Sequence, residues 1–126
     1  AVDIAGRAKG ERELASALWD AFGQYDAVHA INNAALVAAS LVFAGDDFEK
    51  AIAMAVYGGW DTDCNGATVG SVMGAKLGAS ALPKAWIEPL GDTLYAEVHG
   101  FHPIAISACA RRSYEVFRKL RPRLPE

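Results

Sequence analysis

A chain of 126 residues with 52% apolar side chains is one domain's worth of polypeptide and buries a core without staples or metals to hold it together. Twelve basic against fifteen acidic residues give a formal charge of −3, which argues against nucleic acid as a partner. Two cysteines, Cys64 and Cys109, argue against a disulfide framework and fit a reducing, cytoplasmic setting. The longest apolar run, Ala34 to Ala44, is too short to cross a bilayer, so no membrane partner is expected.

The chain starts at Ala1 without an initiator Met or a signal-peptide pattern, as a piece cut from something longer would. Leu14, Ala17, Leu18, Ala21 and Phe22 recur at helical spacing opposite Glu11, Arg12, Glu13, Ser16 and Asp20, and Gly23 stops the pattern. From Ala27 to Ala44 the residues are apolar nearly all round, as in a helix buried among others; His29, Asn32 and Asn33 are the exceptions. Asp46-Asp47-Phe48-Glu49 resembles a capping box that starts a short helix ended by Gly58.

Beyond it, Gly66, Gly70, Gly74 and Gly78 fall at intervals of four. Each costs a helix about 1 kcal/mol relative to Ala, so the spacing predicts a close neighbour, with the stripe holding the preceding turn against the buried helix. Pro83 starts a short segment that Pro89 and Gly91 close. Leu94, Ala96 and Val98 alternate with polar residues as in a lone strand with no evident partner. Ser107 is placed to cap a last helix over Ala108 to Leu120, whose arginines and lysines form a solvated face.

The turn Gly58-Gly59-Trp60-Asp61-Thr62-Asp63-Cys64-Asn65-Gly66 carries the chemistry. Residues two apart on a helix point to nearly opposite sides, whereas a tight turn brings Asp61 and Asp63 together, an oxygen-rich setting for a hard cation. Asp61, Asp63, Asn65 and Gly66 also fill the first positions of an EF-hand loop, but Val72 stands where that loop needs a bidentate Glu. The plainer alternative is that Asp63 only caps the following helix. Trp60 reads equally as a stacking surface for a base or sugar and as a side chain packed under the loop.

Three stretches together resemble the C-terminal part of the ADP-ribosylglycohydrolase family: Val28 to Leu36, Asp47 to Ile52, and Gly58 to Ala75 with its Gly-Gly-x-Asp-Thr-Asp core. Leu82 to Trp86 and Pro89 to Asp92 continue the likeness over nearly the whole chain, 1–126, as one domain part. Trp60 is the extra motif residue that resembles a bacterial branch. The resemblance implies an all-α, compact orthogonal helical bundle with two Mg2+ ions, or Mn2+, that cleaves the glycosidic link of ADP-ribosylated proteins or related ADP-ribose-containing small molecules.

It implies Asp61 and Asp63 as metal ligands and Gly58, Gly59, Trp60, Thr62, His29 and Asn33 as substrate-side residues, with the general base outside this chain. Purely structural service is the plainer reading of His29. Cys64 stands where the family commonly has Thr or Ser, and a thiol is a poor ligand for a hard cation. The family's other ligands lie in an N-terminal half that has no counterpart here. They are expected from the same or a second chain, and the isolated polypeptide is expected to be inactive. A non-catalytic ADP-ribose binder or a crystallin-like structural relative is the alternative.

Overall fold

The computed structural model describes residues 1–121, in two compact units, Ala1–Leu82 and Pro83–Glu126. The first holds α1 (Val2–Arg7), α2 (Glu11–Phe22), α3 (Ala30–Ala44), α4 (Phe48–Tyr57) and α5 (Thr62–Leu77). The second holds α6 (Lys84–Ile87), the strands β1 (Thr93–Leu94) and β2 (Ile104–Ala105), and α7 (Ile106–Leu120). The architecture is all-α, as expected. Among the described residues no helix is long and apolar enough to cross a membrane.

Two apolar clusters meet on opposite sides of α3. Leu36 and Ala39 pack with Ala5, Leu14, Leu18 and Met54, while Val37, Leu41 and Ala44 lie against Ala51, Ala55, Val69 and Met73. The helix is shorter than the apolar run that announced it, because His29 ends the preceding loop and caps α3 through Nδ1, which accepts from the Ile31 N–H at 3.2 Å. Nor is it enclosed all round: Ile31 and Val42 remain exposed. The cap of α4 falls on Asp47, which accepts from Lys50 N–H at 2.9 Å, one residue past the Asp46–Glu49 spacing of a capping box.

The glycine stripe meets a different neighbour from the one expected. A Cβ at Gly66 would touch Val56 and one at Gly70 would touch Ile52, both of α4, each at an ordinary 3.4 Å. Gly74 faces open space, and Gly78, at φ +78°, ends the helix. Since α5 follows α4 through a very short turn, it packs on its immediate predecessor.

In the second unit the expected strand shrinks to Thr93–Leu94, with Ala96 and Val98 outside it, and this short piece has a partner: Thr93 pairs with Ala105 and Leu94 with Ile104, antiparallel. The cap of α7 is also remote in sequence. Ser107 lies inside the helix and donates its N–H (2.8 Å) and hydroxyl (2.6 Å) to the Asp92 carboxylate, while Ile106 N–H donates to the Asp92 carbonyl at 3.0 Å. The Ser107 hydroxyl, then its N–H, hold the Asp92 carboxyl below its ordinary value of 3.8.

A carboxyl lowered in the folded state stabilises above its unfolded pKa, and that contribution is lost as pH falls through the folded one. The first turn of α7 is therefore expected to loosen as pH drops below the usual Asp range. The Ser107 amide chemical shift, followed by NMR, should titrate with Asp92. An Asp92→Ala variant should remove that titration, and a Ser107 shift that ignores both would contradict the cap.

Candidate metal centre

The acidic turn is built by a chain reversal that α4 and α5 impose on each other. Gly58 closes α4 in αR geometry, Gly59 (φ +83°) and Trp60 (φ +59°) turn left-handed, and Asp61 stands at the N-cap of α5. Glycine adopts such a φ freely, but a tryptophan there costs about 1–2 kcal/mol. Packing offsets that strain: the Trp60 indole lies against the first cluster and 4.9 Å from the ring of Trp19. Its Nε1 is buried without a hydrogen-bond partner, whereas Trp19 donates Nε1–H to the Gly58 carbonyl at 2.8 Å.

Within this turn Asp61, Asp63 and Cys64 each offer a ligating atom, all within 4.8 Å of one another. Asp61 is half-buried and the other two are exposed. The cap position belongs to Asp61, not Asp63, and its side chain makes no capping hydrogen bond, unlike Asp47 on α4. Helix-start capping therefore accounts for Asp63, whose carboxylate meets first-turn N–H groups of α5, but not for Asp61. The Asp61 side chain, then the backbone N–H groups of Asp63 and Cys64, hold the Asp63 carboxyl below the usual carboxylate range. The Cys64 thiol is pushed up, first by its hydrogen bond to Asp61 and then by that group's charge.

Asp61 is gripped from both sides. Its N–H donates to Asn33 Oδ1 at 3.2 Å, and its carbonyl accepts from Asn65 N–H at 2.9 Å. Beside the turn runs a groove of about 480 Å3 between α3 and α5, with Val28, Ala34, Val37 and Leu41 as apolar wall and Asp61 and Cys64 at its polar side.

The family model of ADP-ribosylglycohydrolase matches residues 1–121, which include this turn and every residue that builds it. The chain belongs to the ADP-ribosylglycohydrolase family. Comparisons with curated proteins and with solved structures give no significant match. Membership makes this a chain of the glycohydrolase type, in a family of glycosidic-bond hydrolases.

For an ADP-ribosylglycohydrolase the donor set fits a hard divalent cation in part. Two neighbouring carboxyls supply oxygen, while Cys64, kept as a thiol donating to Asp61, adds no hard ligand. Of the substrate-side residues expected from sequence, Thr62 opens α5 and donates its N–H to the Trp60 carbonyl at 3.1 Å. Gly58 is buried, with Leu36 filling the space beside it, and Gly59 lies next to the Trp19 ring. Trp60 takes the packed arrangement. His29 is exposed, capping α3 and stacking on Tyr25.

Sequence reasoning passed over Trp19 and the structural part of Asn65. Trp19 had a visible signal, an aromatic residue standing beside the Leu14–Leu18 stripe with no helical reason to be there. Asn65 had only its place in a calcium-loop pattern that fails elsewhere.

Proposed function

We propose that Asp61 and Asp63 are one part of a two-ion centre, magnesium or manganese, in a hydrolase that cleaves the glycosidic bond of ADP-ribosylated proteins or related ADP-ribose-containing small molecules. The convergence of the two carboxyls, with Asp61 at a helix start that its side chain does not cap, carries this reading. The remaining ligands and the general base come from the rest of the enzyme, in the same or a second chain. When bound, such ions supply charge for orienting ribose hydroxyls and lower the pKa of an attacking water.

This chain's own residues do the holding. Asp61 presents its carboxyl to the α3–α5 groove, which receives the ribosyl substrate along its apolar wall, and Asp63 stands beside it. The left-handed Gly59–Trp60 segment and Thr62 at the start of α5 fix the turn that carries the two carboxyls. Cys64, a thiol held protonated beside Asp61, favours a second reading, an ADP-ribose binder without turnover.

Chelation separates the two. Release of ADP-ribose from an ADP-ribosylated substrate by the full-length protein is expected to stop on treatment with EDTA and to return with Mg2+ or Mn2+. Activity indifferent to the chelator would overturn the metal reading. Binding of ADP-ribose with no release from any ribosyl substrate would favour the binder.

A further inference from the structure

We infer that Asn33 is a positioning residue for the acidic pair, setting the backbone of Asp61 from a helix 28 residues away. The inference rests on Asp61 and Asp63 being cation ligands, and it replaces direct substrate contact as the role of Asn33.

A carboxamide has two N–H donors and two acceptor sites. In Asn33 all are engaged within the protein. Nδ2 donates to the carbonyls of Ala27 and His29, each at 2.8 Å, and Oδ1 accepts from Asp61 N–H at 3.2 Å and from Asn65 Nδ2 at 2.7 Å. Nothing is left over for a ligand.

The partners say what the residue does. Asp61 N–H lies at the N-cap of α5, where no helical carbonyl can receive it, directly after two left-handed residues. Asn65, only 3% exposed, fixes the other end of the same residue through its backbone N–H and orients Asn33 through its side chain. The Asp61 side chain makes no cap bond of its own. Its direction is therefore inherited from a backbone clamped between Asn33 and Asn65.

The same amide ties the loop before α3 to this point through Ala27 and His29. Only a carboxamide supplies both halves, and Gln, the other residue with one, carries it a methylene further out. An Asp at 33 keeps the acceptor toward Asp61 but loses the donors toward the loop; a Leu of similar size loses everything.

Partners that orient ligating carboxylates are worth roughly ten- to a hundredfold in metal affinity. In the full-length protein Asn33→Ala is expected to weaken Mn2+ binding, measured by electron paramagnetic resonance, by about tenfold or more, and to remove hydrogen-exchange protection of the Asp61 amide. Met73→Ala, a core truncation elsewhere on α5, is the control for lost stability and should leave both readouts unchanged.

Asn33→Asp should keep the Asp61 amide protected, which preserves the test if Asn33→Ala does not fold. Wild-type Mn2+ affinity in a folded Asn33→Ala protein would overturn the inference alone, as would an Asp61 amide left unprotected in Asn33→Asp. No Mn2+ binding by the unaltered protein would instead overturn the reading of the acidic pair.

Discussion

Changing Asp61 and Asp63 together to Asn should reduce hydrolysis by more than a hundredfold, beyond the range of about 10–100 associated with residues that merely support metal ligands. Asparagine keeps the shape of the side chain and a carbonyl oxygen, so the turn is preserved. It removes the formal negative charge, which supplies most of the attraction for a divalent ion. The melting temperature should hold while turnover collapses. A variant that loses stability and activity in parallel would point to a structural role, and one that keeps full turnover would refute the assignment.

The second large effect concerns stability at Gly58, where the backbone is ordinary but the space is not. Its φ of −63° suits any residue, and Ala in such a conformation would normally gain about 0.4–1 kcal/mol through the unfolded state. Here a Cβ would stand 2.7 Å from Leu36 Cδ2, 3.1 Å from its Cγ, and closer still to Cδ1. Leu36 is fully buried among Leu14, Leu18 and Met54 and has no free direction to move.

Overpacking of this kind costs about 1–3 kcal/mol, so Gly58→Ala should be a net destabilisation of about 1–2 kcal/mol by denaturant melting. Leu36→Ala alone should cost about 2–5 kcal/mol. In that background the new methyl at 58 enters the vacated space, and Gly58→Ala should become neutral or stabilising. Such a change of sign between two contacting residues is the signature of direct coupling. Additive effects would mean that Gly58 is not constrained by Leu36.

What the sequence disclosed and what it withheld divide by range. Asp47 at its cap, Gly58 at the end of α4, and the pairing of Asp61 with Asp63 all depend on neighbours within a few positions, where helix periodicity and turn chemistry act. The roles of Asn33 and Trp19 depend on partners 28 and 39 residues away; both residues stand out from their helix patterns, but nothing local names those partners. The same holds for Asp92, whose partner Ser107 is 15 residues on, and for the pairing of β1 with β2. The glycine stripe was legible as a packing surface at Gly66 and Gly70, but the identity of its neighbour was a tertiary fact.

The long-range bond from Asn33, together with the first helical bond of α5 from Asn65, is also what turns two acidic residues into a pair. Without Asn33 and Asn65 at either end of Asp61, a left-handed turn at Trp60 would have little to define the direction of the carboxylate that follows. The strained Trp60 itself is retained against the core by Trp19, so the Gly-Gly-Trp segment serves first as a hinge of fixed shape.

The most direct test is crystallographic: the full-length protein crystallised with Mn2+, and an anomalous difference map recorded at the manganese absorption edge. A peak within coordination distance of carboxylate oxygens from both Asp61 and Asp63 is the predicted result. A map with no peak there, showing the two side chains ordered and turned apart, would contradict it.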